Sequence, residues 1–153
     1  GAGLLKKVNM LFDIKKSEII FTNNTNKLKQ DGYDLANFVK VPFLFSLKGA
    51  VIIDAHTTYG PIKLSVDTGC TFTTLRNNML PNDAQPKVSS NGISIISSNT
   101  FSIGGTNFGS KQLYFIDITE ELDEIDGFLG MDFIKEHVIY IDFTHHMLYI
   151  KPS

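Results

Sequence analysis

The feature that most constrains this chain is a succession of short runs of β-branched and aromatic residues, separated by Gly, Asn, Pro and Asp. Such runs favour strands, because branched and aromatic side chains pack well on a pleated surface and the separating residues form turns. The pattern predicts an all-β fold, with helix confined to one or two short pieces, over 31–38 and 131–137. The strands are expected at 10–14, 18–22, 41–47, 51–57, 62–66, 71–75, 92–96, 112–116, 138–143 and 147–151.

Size and charge exclude several classes of protein. With 153 residues and one cysteine, the chain can bury a single core but cannot hold a disulfide framework. Its 14 basic and 16 acidic residues create no basic field, so we expect no nucleic acid partner. The longest apolar runs, 41–45 and 50–53, are too short to cross a bilayer, so we expect no membrane span in this chain.

The chain divides into three segments. Residues 1–22 predict an N-terminal β-hairpin, residues 23–40 a polar connector, and residues 41–153 the main domain. The first hairpin repeats the apolar pattern of the last one, since 4–7, 10–14 and 19–21 match 133–136, 139–143 and 148–150, with Asp13 and Asp142 identical. Two interpretations stay open: hairpins in general alternate in this way, or the chain begins with the last hairpin of a preceding homologous domain.

One carboxylate stands in an unusual context. Asp67 ends an apolar run and is followed by Thr68 and Gly69. An ionised carboxylate in such a place needs donors from neighbouring backbone amides, and a glycine lets another segment come close. The alternative is an ordinary Asp-Gly turn that closes a hairpin.

A second motif lies downstream of this carboxylate. Phe128, Leu129 and Gly130 form an apolar-apolar-glycine segment, followed by Met-Asp-Phe at 131–133 and by the last hairpin. In order and spacing, the two motifs together resemble the retropepsin-like branch of the pepsin clan of aspartic proteases, and especially its single-lobe bacterial members. The resemblance covers about 41–151, most of the chain.

The resemblance carries expectations about fold and catalysis. It implies a closed β-barrel lobe over 41–153 with a flap hairpin, and an aspartic-type endopeptidase in which Asp67 is the catalytic acid. Thr68 and Gly69 would support the site, Thr68 by locking two facing loops through its hydroxyl, and Gly130 would belong to the segment threaded beside Asp67. Cys70 replaces the Ala or Ser usual in this family; its thiol is either inert packing or a redox-sensitive group.

The flap is expected at the Asn-Gly pair, the strongest hairpin signal in the chain. Ser90, Asn91, Gly92 and Ile93 would then close over an extended peptide, and Leu129 would line a pocket beneath it. The partner is therefore a peptide or protein substrate. No cofactor and no metal are expected, since no further ligand completes a set with the histidines at 137, 145 and 146.

Catalysis by this route requires a second acid. One carboxylate must hold a proton while the other accepts one from the attacking water. Asp13, Asp126, Asp132 and Asp142 lack the Thr-Gly sequel and are interpreted as capping or turn acids. The second carboxylate would come from a second homologous lobe, either in a homodimer or in an upstream domain. The alternative function is a catalytically inactive, pepsin-like module for peptide binding or assembly; the resemblance favours a bacterial periplasmic or secreted setting, and the compartment stays open.

Overall fold

The computed structural model describes residues 8–118 and 125–152. These residues form fifteen strands, two short α-helices and three 3-10 turns. The strands are β1 (Met10–Asp13), β2 (Glu18–Phe21), β3 (Val39–Pro42), β4 (Leu44–Phe45), β5 (Val51–Thr57), β6 (Gly60–Val66), β7 (Thr74–Arg76), β8 (Lys87–Val88), β9 (Ser94–Ser98), β10 (Phe101–Ile103), β11 (Thr106–Asn107), β12 (Lys111–Ile116), β13 (Gly127–Leu129), β14 (Ile139–Asp142) and β15 (Met147–Ile150). The helices are α1 (Thr25–Gln30) and α2 (Met131–Ile134), and the 3-10 turns are Ile14–Lys16, Leu35–Asn37 and Asn77–Met79.

Two sheets make up the domain. The five-stranded sheet has the order β2-β1-β14-β15-β3, so the first hairpin lies beside the last one. The larger sheet runs β11-β10-β5-β6-β13-β7-β12-β9-β8, with β4 paired to β5. Within it, β13 lies between β6 and β7, parallel to the first and antiparallel to the second. This inserted strand brings the two sequence motifs together.

The main core lies between the two sheets. Alternate residues of each strand face this core. On β12, Leu113 and Phe115 are buried, whereas Tyr114 between them is only partly buried. From the five-stranded sheet come Ile139, Leu148 and Ile150, each at most 1% exposed. Burying a large aliphatic side chain contributes about 1.5–3 kcal/mol, so this layer dominates the stability of the fold.

A second, smaller cluster covers the opposite face of the five-stranded sheet. Leu11 and Tyr140 of the sheet pack against Leu28 of α1 and against Tyr33, and all four are at most 4% exposed. The segment interpreted as a polar connector therefore contains a capped helix, with Asn24 accepting a hydrogen bond from the amide of Lys27. Most polar residues of segment 23–40 face solvent, while Leu28 and Tyr33 are buried in this cluster.

The sequence predictions agree with the structure at the level of fold class. The fold is mostly β with two short α-helices, and the strand predicted at 51–57 is β5. The helix predicted over 31–38 is only the 3-10 turn at Leu35–Asn37, capped by Asp34. Helix α1 forms earlier, at 25–30, and four short strands, β8, β10, β11 and β13, are absent from the predicted set because each is at most three residues long. Barrel closure stays a prediction, and residues 4–7 of the repeat lie outside the described residues.

Candidate active site

Asp67 directly follows β6, on a tight turn. Its amide donates to the carbonyl of Leu129 over 3.0 Å, and its carbonyl accepts from the amide of Cys70 over 3.2 Å. Its carboxylate Oδ1 accepts the backbone N–H of Gly69 at 2.8 Å. The carboxylate is thus oriented by the amide two residues later, and the side chain stays partly exposed.

The segment around Gly130 passes so close to this turn that only glycine fits. A Cβ on Gly130 would lie 2.5 Å from the carbonyl oxygen of Phe72 and 2.8 Å from that of Cys70. A Cβ on Gly127 would overlap the carbonyl of Thr74 on β7. These two glycines allow β13 to thread between its neighbours and reach the Asp67 turn.

Thr73 and Asp132 connect the two segments further. The hydroxyl of Thr73, whose residue is fully buried, donates to Asp132 Oδ1 at 2.8 Å and accepts the amide of Gly130 at 3.3 Å. The amide of Thr73 donates to Asp132 Oδ2 at 3.0 Å, and Lys111 Nζ lies 2.7 Å from the same oxygen. Because this carboxylate binds residues far away in sequence, the interpretation of Asp132 as a turn or capping acid is wrong.

The other three acids have structural partners. Asp13 and Asp142 accept the amides three residues later, from Lys16 and His145, as turn acids do. Asp126 accepts the amide of Lys63 at 2.8 Å, which secures the entry of β13 beside β6 rather than a local turn. In the described ranges 8–118 and 125–152, no group of three or more His, Cys, Asp or Glu is placed to hold a metal. No helix within these same ranges is long and apolar enough to cross a membrane.

A cleft of about 210 Å³ opens at Asp67. Asp67 and Thr68 form its polar side, and the rest of its lining is apolar and comes from both sheets and from α2: Met10, Phe12, Val51, Val66, Ile134, Ile139, Ile141 and Phe143. The carboxylate therefore lies at the edge of an apolar surface to which the N-terminal hairpin contributes.

The hairpin predicted around the Asn-Gly pair forms between β8 and β9. Its loop has five residues, 89–93, in which the hydroxyl of Ser89 accepts the amide of Ile93 and its carbonyl accepts the amide of Gly92. Gly92 adopts φ +79°, which favours glycine. Ser90, Asn91 and Gly92 are exposed, Ile93 is partly buried, and none of these four lines the cleft described above.

The remaining candidates occupy different roles. Leu129 contributes its carbonyl to Asp67, while its side chain is fully buried in the main core. The thiol of Cys70 donates to the carbonyl of Phe72 at 3.0 Å and is partly exposed. Sequence reasoning missed Phe72, which is 45% exposed on the Asp67 loop and stacks on Tyr114 at 4.3 Å. A large aromatic residue directly after the motif was the available signal.

Known proteins share this arrangement of strands at low sequence identity. No protein-family model and no curated protein matches the sequence. A solved structure of a retropepsin-like aspartic protease from Rickettsia conorii is similar, with a TM-score of 0.55, 20% identity, and coverage of 74% of this chain and 90% of that one. The structure of Basic 7S globulin from soybean is also similar, with a TM-score of 0.61, 10% identity, and coverage of 95% of this chain but 50% of the globulin chain.

These comparisons show a fold like that of retropepsin-like aspartic proteases.

Proposed function

We propose that this chain is one lobe of an aspartic-type endopeptidase, with Asp67 as the catalytic acid. The observation that carries the proposal is the Asp67 turn. The carboxylate accepts a hydrogen bond from the Gly69 amide at 2.8 Å, and the Asp67 amide donates one to the carbonyl of Leu129. Gly130 passes close beside this turn. A carboxylate oriented in this way, at the edge of an apolar cleft, is suited to acid–base chemistry on a bound peptide.

The chemistry requires Asp67 to face a second carboxylate. Two carboxylates about 3 Å apart cannot both ionise cheaply, so the pair holds one proton between them. The ionised member accepts a proton from water as the water oxygen attacks the peptide carbonyl carbon, and the protonated member donates to the carbonyl oxygen. Collapse of the gem-diol intermediate then breaks the C–N bond. The leaving nitrogen takes the proton of one carboxyl group while a diol hydroxyl returns its proton to the other carboxylate, which restores the singly protonated pair.

The substrate in this proposal is an extended peptide. The loop at 90–93 would close over it as a flap, with Ile93 as the apolar residue at its base. Phe72, exposed and stacked on Tyr114, offers apolar surface on the Asp67 loop itself. Gly69, which is also exposed, leaves its surroundings open to a substrate backbone.

The test is peptidase activity toward a peptide library from acid to neutral pH. It is measured on this chain at several concentrations and on the natural polypeptide that contains it. Asp67→Asn removes the ionisable group and is expected to lower kcat/KM by roughly 100-fold or more. Asp54→Asn is the matched control, because its side chain is 69% exposed and bonds only on the surface, to Lys63. Equal cleavage by Asp67→Asn and the unmodified protein would reject Asp67 as the catalyst.

A second candidate is a peptide-binding or assembly module without catalysis. It is favoured by the similarity, over 95% of this chain, to a protein named as a globulin rather than as a protease. If library peptides bind but are not cleaved by any form that contains both lobes, this function replaces the endopeptidase.

A further inference from the structure

We infer that the apolar face formed by Met10, Phe12, Ile19 and Phe21 is covered by a second lobe of the same fold, which precedes this one in the natural polypeptide. A second copy of this chain does not fit there. The inference deepens the proposed function, on which its catalytic consequence rests, because it names the source of the second carboxylate.

The first and last hairpins are structural repeats. β1 and β2 correspond to β14 and β15 with a constant separation of 129 residues, from Met10 to Ile139 and from Glu18 to Met147. The repeat extends to the turns, where the non-glycine residues with positive φ are Ser17 at 53° and His146 at 51°. These two positions are again 129 apart, so the turn backbones match as well as the strands.

Hydrogen bonds repeat with the same separation. Asp13 accepts the amide of Lys16 as Asp142 accepts that of His145. At the open end of each hairpin, the amide of Thr22 donates to Asn9 and the amide of Lys151 donates to Val138. Four positions in each hairpin therefore have equivalent bonding, which general β alternation does not require.

The two hairpins are related by a local twofold axis. β1 and β14 are antiparallel neighbours, and Leu11 pairs with Tyr140, its own equivalent in the repeat. On either side, Met10 pairs with Ile141 and Phe12 pairs with Ile139, two pairs that the repeat exchanges. The axis therefore passes through the Leu11–Tyr140 pair.

Burial breaks this symmetry. Because alternate residues of a strand face opposite sides and Leu11 faces the small cluster, Met10, Phe12, Ile19 and Phe21 face the other side, that of the main core. Their equivalents on β14 and β15 are at most 6% exposed: Ile139, Ile141, Leu148 and Ile150. Ile19 and Phe21 are each 52% exposed, and Met10 and Phe12 are only partly buried. The apolar face of the first hairpin is thus equivalent to one that is buried in the last hairpin, but it is itself only partly covered.

The outer edge of β2 also lacks the neighbouring strand that β15 has, among the described residues. β15 pairs along its outer edge with β3, through Leu148–Val41 and Ile150–Val39. The equivalent edge of β2 is the end of the sheet among the described residues. The Thr22 amide points to β1, so the alternating amides of Ile19 and Phe21 point outward, where an equivalent of β3 would pair.

A second copy of this chain cannot supply the missing core by the same symmetry. It would have to place its own β14–β15 hairpin across the axis, and β1–β2 already occupies that position. A lobe whose own last hairpin is β1–β2 meets no such conflict, and it would continue directly into α1. The globulin comparison agrees in length, because this chain spans only half of that similar structure. Asp67 shares its cleft with Met10 and Phe12, so a lobe that covers this face lies beside Asp67, where the proposed function requires the second carboxylate.

Residue-resolved hydrogen exchange tests this inference without relying on activity. In the 153-residue chain the Ile19 and Phe21 amides are expected to exchange rapidly, and in the natural polypeptide with its preceding segment they should slow by roughly 100-fold or more. The Leu148 and Ile150 amides, already paired to β3, should be protected in both and serve as internal controls. In the longer polypeptide, Phe21→Lys should abolish the added protection, whereas Leu47→Lys, at a fully exposed loop position, should not.

Two results would overturn the inference. One is a preceding segment that leaves the Ile19 and Phe21 amides unprotected. The other is a concentration-dependent dimer of the 153-residue chain, seen by sedimentation, that protects them, because a second copy would then be the occupant. Added protection in the longer polypeptide without peptide cleavage would reject the proposed endopeptidase and leave this inference standing, so the two failures are distinguishable.

Discussion

Replacing Thr73 with valine tests whether its hydroxyl holds the Asp67 loop to the threaded segment. Valine keeps the volume of the side chain, so Thr73→Val leaves no cavity at this fully buried position. It removes the bond donated to Asp132 at 2.8 Å and leaves the Gly130 amide, 3.3 Å away, without its acceptor. Asp132 retains the Thr73 amide and Lys111, so its charge stays compensated.

The magnitude follows from these contacts. A hydrogen bond to a charged partner contributes about 1.5–3 kcal/mol, and a buried amide left unpaired costs about 1–3 kcal/mol, with the long 3.3 Å bond placing it at the low end. Burying one more methyl group returns about 1 kcal/mol. The free energy of unfolding should therefore fall by about 2–3 kcal/mol.

Urea unfolding, with midpoint and slope fitted together, measures this loss. Thr71→Val is the control, since Thr71 lies exposed on the same loop, and it should change the free energy by less than about 0.5 kcal/mol. A double-mutant cycle with Asp132→Asn should give a coupling of about 1–2 kcal/mol. Equal stabilities for the two valine variants, or a coupling near zero, would refute the role assigned to Thr73.

Three further predictions concern stability and pH. Gly127→Ala forces a methyl group into a carbonyl of β7 and should lower the free energy of unfolding by about 3 kcal/mol in urea titrations; a loss below about 1 kcal/mol would contradict the close passage. Burial lowers the pKa of His137, so the folded protein takes up this proton at a lower pH than the unfolded chain, which binds it below a pH of about 6.5. Stability should hence fall as the pH drops below that value, and His137→Gln should flatten the fall in unfolding titrations at pH 7.5 and 5; an unchanged slope would exclude His137 as its source. Tyr140→Phe removes a hydroxyl that accepts from Asn9 at 2.9 Å, at an expected cost of about 1–3 kcal/mol, and thermal unfolding should show a smaller loss for Tyr149→Phe on the same face.

The twofold repeat shows how far sequence reasoning reached in this chain. The spacing of apolar residues in the two hairpins was visible directly, because strand alternation is written in neighbouring residues. Which of the two hairpins is covered was not visible, since Ile19 and Leu148 belong to equivalent apolar patterns and differ only in what packs on them. The inference of a preceding lobe therefore rests on the turn geometry and the exposure, which the sequence does not show.

Local chemistry alone determined the mostly β class of the fold and the position of Asp67 on a tight turn after a strand. Each of these depends on a few consecutive residues whose backbone preferences or spacing reveal them. Only the tertiary structure decided that Thr73, Asp132 and Lys111 meet behind the Asp67 loop and that α1 covers the small cluster. Those contacts join residues far apart in the chain, which no local pattern encodes. The contacts behind the Asp67 loop arise because threading β13 between β6 and β7 brings distant segments within bonding distance.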